Sequence, residues 1–415
     1  MPAPFSTSRS RIELGWLGLA LAWAVMVLCT WTGAVLGDEW VHWHQIARFV
    51  HHDYRVFDEY LTNIPGYHWL MTALLWLFGG EWVGQARAIN SAFGLAALLA
   101  FHVARRDLHP SDAQRETALM LFLPVLFPYW FLVYTDTLAL AFLLAAALAQ
   151  VRGRHGWAAL ALVGSMAVRQ NNVFWVGFLA LLTLWPLWRD ARFRVWTVWR
   201  DSIALAWPYG LAVLAFLAYW AWNGSISYSN AQGVNAHPDV KFDVGNPYFL
   251  LFIAGCLLPL QAVAGVRRFV AAARRRPWLW LAPVLVFGLY AWLFKVHHPY
   301  NTFEGDYFLR NTLLQTVAKQ YTRPWFVFGA IATLAACGLA CTRFVRSEYR
   351  WLLPLSLVFV GASWLIETRY AIVPMALLLL LRVPERDWME RVTLVWWIGI
   401  ATWFAVGIFD FHFMI

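Results

Sequence analysis

Tyr134-Thr135-Asp136-Thr137-Leu138-Ala139-Leu140-Ala141-Phe142-Leu143-Leu144-Ala145-Ala146-Ala147-Leu148-Ala149-Gln150-Val151-Arg152 passes from a short polar turn into a long apolar run and stops at arginine. No charge interrupts it between Asp136 and Arg152, so no face of the helix is left to meet water. A second run, Leu279 to Phe294, has the same character, and such runs mark membrane-spanning helices. The whole chain agrees: 61% of its 415 residues are hydrophobic, 13% are charged, and the mean hydropathy is +0.55. Soluble domains carry about 25% charge. Soluble globular, disordered and collagen-like classes are therefore excluded. Cys29, Cys256, Cys337 and Cys341 all lie inside apolar runs, which gives neither a disulfide framework nor thiolate metal spacing.

The first run, Leu14 to Leu36, follows Arg9 and Arg11 and is too long for a signal-peptide core, so it reads as a first span. Further spans are expected near 83–104, 117–133, 136–151, 157–168, 172–188, 203–222, 246–265, 278–296, 323–341, 351–366, 371–382 and 392–410. The apolar stretch 67–78 is too short to cross ~30 Å of hydrocarbon and is expected to be interfacial or re-entrant. With it left out, alternate loops collect 22 of the 32 basic residues on one side, which the positive-inside rule makes cytoplasmic. The expectation is an all-α polytopic membrane protein of about 13 spans, one integral domain over 1–415. Its outer face carries a loop at 37–82 and further loops at 223–245 and 297–322. Arginines confined to gaps between spans argue against nucleic acid and for a bilayer partner.

The outward segments hold most of the remaining ionisable residues, and such convergence on one membrane face marks a polar site. The first, Gly37 to Arg48, places Asp38, Glu39, His42 and Gln45 where the first span exits. Helix capping would explain the two acids as well as catalysis does. The second, Phe57 to Tyr67, carries Asp58 and breaks at Pro65-Gly66. Asp136 is either a cap or a ligand. In Arg169-Gln170-Asn171-Asn172 an arginine interrupts an apolar stretch, and a bland turn has no need of one. Then come His297-His298-Pro299-Tyr300, leading to Arg310, and Glu367-Thr368-Arg369-Tyr370, in which Glu367 and Arg369 could simply pair. No metal-ligand spacing occurs, no cofactor is implied, and a carboxylate-held divalent ion near Asp38 and Asp136 has no sequence support.

Taken in order, these motifs resemble the dolichyl-phosphate-glucose-dependent α-1,2-glucosyltransferases, which add the terminal glucose to the N-glycan precursor. Asp38, Glu39, His42 and Gln45 fit that family's Asp-Glu-x-x-His-x-x-Gln, and Asp58 to Gly66 fits the next motif loosely. Tyr134 to Asp136, Arg169-Gln170-x-Asn172, His298 to Tyr300 and Glu367-x-Arg369-Tyr370 follow in register. Glu304-Gly305-Asp306-Tyr307 departs from the family's Asp-Asn-Arg-His, which leaves the acceptor and the sugar open. The resemblance implies a GT-C-type glycosyltransferase fold. It also implies transfer of a hexose from a polyprenyl-phosphate donor to a glycan or lipid-linked acceptor on the non-cytoplasmic face.

A polyprenyl-phosphate sugar brings its own leaving group, so the chemistry needs one base for the acceptor hydroxyl and cations for the departing phosphate. Asp38 is the first candidate base and Glu39 the second. Arg169, Gln170, His298, Tyr300, Arg310, Arg369 and Tyr370 are candidates for the donor, and His42, Gln45, Asp58, Asp136, Asn172 and Glu367 for substrate contacts. A transporter or flippase of lipid-linked sugars is the alternative from another class, although no internal repeat supports it. Sibling transferases acting on lipid A, protein or wall glycan also fit. The excess of arginine over lysine points to a bacterial inner membrane with a periplasmic site, against the endoplasmic reticulum with a lumenal one.

Overall fold

A computed structural model describes residues 7–56, 61–191, 196–228, 241–302 and 307–415. Among them the chain is helical, with only isolated bridges pairing Phe308 with Met414 and Phe344 with Arg382. Helices are what an apolar chain must form in lipid, because each satisfies its own backbone hydrogen bonds.

In chain order the helices are α1 (Thr7–Thr30), α2 (Glu39–Val50), α3 (Gly66–Phe78), α4 (Val83–Leu108), α5 (Ala113–Leu121) and α6 (Thr135–Val151). Next come α7 (His155–Val168), α8 (Val173–Ala191), α9 (Trp196–Asn223), α10 (Gly245–Leu257), α11 (Pro259–Arg275) and α12 (Leu281–Leu293). The last are α13 (Leu309–Ala318), α14 (Arg323–Ala340), α15 (Leu352–Gly361), α16 (Ile372–Leu381) and α17 (Asp387–Phe409). Among the described residues five helices are long and apolar enough to cross a bilayer, or six if the bent pair α10–α11 counts as one span. Five shorter apolar helices accompany them, and together they make this an integral membrane protein.

The expected 13 spans are therefore not all continuous helices. The stretch 117–133 stops being helical at Leu121, because Pro124 and Pro128 cannot continue an α-helix. The segment that follows is buried throughout from Leu123 to Tyr134, which is how such backbone is tolerated at membrane depth. Side chains satisfy its freed carbonyls. Asn90 and Thr137 donate to Tyr129 O, Ser91 donates to Trp130 O, and the Trp130 indole donates to Leu121 O. The expected span 246–265 likewise breaks at Leu258-Pro259, where α11 leaves the direction of α10 by 105°.

The expected short helix forms as α3, whose 13 residues reach about 20 Å. It stops at Gly79 in the left-handed region. A Cβ on Gly66 would lie 2.5 Å from the carbonyl oxygen of Ala167, so only glycine allows α3 to start this close to α7. Phe49 of α2 stacks on Trp69 of α3 at 4.0 Å between centroids, which lays these two helices together.

At the far ends of α4 and α16 lies a buried ionic cluster. Arg105, fully buried, pairs with Asp112 and donates to the carbonyls of Leu380 and Arg382. Arg382 pairs with Glu116 and Glu390. Several of the arginines expected on the cytoplasmic side thus tie helix ends together.

Candidate active site

The opposite ends of the same helices hold the motifs expected on the outer face. Gly37, at φ +54, turns the chain between α1 and α2, and a Cβ there would come within 2.9 Å of Met414 and 3.1 Å of the Tyr134 hydroxyl. Asp38 follows as the residue preceding α2. It makes no side-chain cap, so the capping account of this acid fails. Its carboxylate turns instead to Arg369, which donates to Oδ2 over 2.6 Å.

Arg369 stands on the 3-10 turn Thr368–Ala371 that leads into α16 and is the hub of the site. Its guanidinium lies 3.6 Å from Glu367 and 3.9 Å from Asp136, and sits over the Tyr134 ring at 5.4 Å. Asp136, in the first turn of α6, accepts from Arg169 at the end of α7. Glu367 pairs with Arg310 of α13 at 3.0 Å. Six of the residues singled out from the sequence, Asp38, Asp136, Glu367, Arg169, Arg310 and Arg369, therefore meet as three acids balanced by three arginines. The simple Glu367–Arg369 pair is only one link in this network.

The acids are not equivalent. The Asp38 side chain is 47% exposed, against 5% for Asp136 and 2% for Glu367. Asp38 is thus the carboxylate of the network that an incoming molecule meets first. Its crowded edge feels opposing effects. Burial raises its pKa, but Arg369, His42 and Arg310 outweigh that and hold the carboxyl below its ordinary value. Asp136 Oδ2, Gln170 Oε1 and Arg310 Nε are buried without a hydrogen-bond partner. Orphaned polar atoms beside a charged cluster offer partners to the polar groups of a bound molecule.

Glu39 has a different setting. Both its oxygens face Arg87 of α4, at 2.8 and 2.6 Å, and also accept from the amides of Val133 and Leu36. Arg87 spends its remaining N–H groups on the carbonyls of Thr30, Gly33 and Ala34. Pair and partners are buried, so Glu39 has no free edge for an acceptor and departs from the expected role of second base. It clasps the end of α1, the start of α2 and the strand of chain before α6, which fixes the positions of Asp38 and Asp136. Sequence reading missed Arg87. Its signal is an arginine inside a spanning helix beside Gln85, Asn90 and Ser91.

His42, one turn after Asp38, is buried and meets His68 of α3 at 3.1 Å between ring nitrogens. Burial, with Arg369 and Arg169 opposing Asp38 and Asp136, pushes its imidazole down to about 4, so it is neutral at pH 7. Tyr370 lies within the field of Arg169 and Glu367. The other candidates brace the rim. Gln45 donates to Arg55 O, Gln170 donates to Thr62 O and Ile226 O, and Asn172 donates to the Ser165 hydroxyl. His298 accepts from the Tyr300 amide and packs edge-on to Trp364. Asn301 beside them bonds both ways with Ile366, next to Glu367. Asp58 and the Glu304–Asp306 departure lie outside the described residues. Among the described residues no three His, Cys, Asp or Glu side chains stand close enough to hold a metal ion.

A bundle of apolar helices with a charge-balanced ionic site where α2, α6, α13 and α16 begin and α7 ends defines an integral membrane protein with a polar site gathered at one end of its bundle. The DIE2/ALG10 family model matches residues 34–380, and the chain belongs to that family. Among curated relatives, the Dol-P-Glc:Glc(2)Man(9)GlcNAc(2)-PP-Dol alpha-1,2-glucosyltransferase of Drosophila melanogaster is 26% identical over 85% of this chain and 86% of its own. The enzyme of the same name from Mus musculus is 25% identical over 63% of this chain and 66% of its own. The crystal structure of ArnT from Cupriavidus metallidurans in the apo state overlays 97% of this chain and 77% of its own, at TM-score 0.46 and 17% identity. A likeness at that level carries no argument.

Proposed function

We propose that this chain is an inverting hexosyltransferase of the GT-C type. In this reading it moves a hexose, glucose by analogy with its relatives, from a polyprenyl-phosphate donor to a glycan or lipid-linked acceptor. The observation that carries the reading is Asp38, an exposed carboxylate bonded to the hub arginine of a buried ionic network. The relatives' names supply the donor class, dolichyl-phosphate glucose, and the acceptor class, a lipid-linked oligosaccharide.

The acceptor hydroxyl oxygen attacks the anomeric carbon on the face opposite the phosphate. The bond from that carbon to the phosphate oxygen breaks with its electron pair, the hydroxyl proton passes to an Asp38 oxygen, and the anomeric configuration inverts. Negative charge grows on the departing phosphate, where Arg369 and Arg169 meet it with charge-assisted hydrogen bonds. Arg369 can turn to the phosphate only by loosening its bond to Asp38. Donor binding then frees the base and returns its pKa toward the ordinary carboxylate value. Glu39 and Arg87 position Asp38 and stay paired throughout.

The test is reconstitution in liposomes with polyprenyl-phosphate [14C]glucose and a lipid-linked oligosaccharide. Label on the acceptor supports the transferase. Label that only crosses the bilayer overturns it in favour of a transporter. We place the protein in a bacterial inner membrane with the site facing the periplasm, from its preference for arginine over lysine. Reporter fusions at 223–245 that score cytoplasmic would reverse that orientation.

A further inference from the structure

Helices α10 and α16 both start at the ionic site: Asn246 of α10 accepts from the Glu367 amide, and α16 follows Arg369 directly. Both end near α11, where the amphipathic chain turns by 105° and runs across the bundle rather than along it. One face of α11 is fixed. Gly265 packs against the Gly338 backbone of α14 closely enough that a Cβ would lie 2.2 Å from its carbonyl oxygen, and Phe269 and Ala273 are buried with Cys337. Arg268 pins the same side to Glu385 at 2.6 Å and to Cys341 O at 2.9 Å.

The other face is unpartnered. Arg267, Arg274, Arg275 and Arg276 are exposed and make no ion pair among the described residues. Trp278 and Trp280 follow at 64% and 45% exposure, and α12 then presents exposed Leu281, Val284 and Leu285. A helix lying across the bundle, arginines outward, tryptophans next, then a lipid-facing apolar helix, is the arrangement of a membrane interface. Four positive charges at headgroup depth need anions, and the bilayer supplies them as phosphodiesters. We propose that the C-terminal half of α11, with Trp278 and Trp280, binds the headgroups of anionic phospholipids in the leaflet opposite the ionic site. Phosphate oxygens take the guanidinium N–H groups, and the indoles lie among the glycerol esters. This site is separate from the proposed transfer reaction and stands whether or not that reaction is right.

The experiment extracts the full chain from proteoliposomes of equimolar phosphatidylglycerol and phosphatidylcholine and counts retained lipids by native mass spectrometry. Wild type should carry phosphatidylglycerol in preference. The variant R274Q/R275Q/R276Q should lose that preference by at least about tenfold, since each basic residue near an anionic surface contributes roughly fivefold. A variant with Lys295, Lys319 and Arg323 changed to Gln removes the same charge from exposed positions elsewhere and should keep the preference. Arg→Lys at 274–276 should keep most of it and shows that the loss is not misfolding. Unchanged retention in the Gln variant, or equal loss in the control, overturns the site.

Discussion

Arg369 holds Asp38 at 2.6 Å while also reaching toward Glu367 and Asp136, so the proposed base and the proposed phosphate-binding cation are one coupled unit. Asp38 is held below its ordinary pKa because the charges around it, Arg369 foremost, together outweigh the effect of burial, and His42 is neutral above about 4. The kcat/KM of transfer should therefore be flat from pH 5 to 8, and an acid limb near 6.5 would assign the proton transfer to a histidine instead. His42 has a second consequence. Its folded pKa of about 4 lies below the unfolded value of about 6.5, so between those values the unfolded chain takes up a proton that the folded site refuses. Stability should fall by roughly 3 kcal/mol as pH drops through that window, and His42→Gln should flatten the fall in thermal melts from pH 7.5 to 4.5. Arg87→Ala leaves Glu39 buried and unpaired and should cost about 3–5 kcal/mol. Glu39→Gln strands the buried Arg87 charge and turns an NH2 toward the Leu36 or Val133 N–H, so it too should melt well below wild type. In sequence Asp38 and Glu39 look alike. What separates them is Arg87, 48 positions further on, and no local spacing encodes that meeting. The six residues of the network were legible because each is a polar residue at a helix boundary in an apolar chain, where charge is costly unless it has work to do.

Among the helices, the breaks are where the account is most exposed. Hydropathy reads 117–133 and 246–265 as spans because buried irregular segments are as apolar as lipid-facing helices. Pro124, Pro128 and Pro259 are the local signs of the breaks, and which neighbours would satisfy the freed carbonyls was not readable. Asn90 supplies one such partner and also accepts from the Tyr67 hydroxyl, so it ties α3 to the broken segment. Asn90→Leu should destabilise the fold by about 1–3 kcal/mol through the orphaned groups it leaves, measured by melting in detergent. At the bend, Gly265→Leu would force α11 away from the Gly338 backbone, and its loss should exceed that of Leu at exposed Gly288, where nothing crowds a Cβ. The short helix α3 was legible by length alone, because 13 residues cannot span a bilayer.

Among the described residues, two ionic clusters cap opposite ends of one apolar bundle and differ in kind. At the end holding Arg105 and Arg382, arginines pair with acids and cap helix carbonyls, and the cluster reads as a fastening. Both ends leave buried polar atoms without hydrogen-bond partners, Glu116 Oε1 and Arg382 Nε at the first and Asp136 Oδ2 at the second, but at the second one carboxylate, Asp38, stands half open while the acids paired with Arg105 and Arg382 are buried. That asymmetry, and not the mere presence of charge in a membrane, is why the transfer chemistry is placed at Asp38. The most direct measurement is single-turnover transfer from polyprenyl-phosphate glucose, at saturating donor and acceptor, by wild type and Asp38→Asn. The account predicts an inverted glycosidic product from wild type and a loss of more than ~100-fold in the variant, the scale of a missing general base, with donor affinity nearly unchanged. A variant that turns over within about threefold of wild type would contradict it.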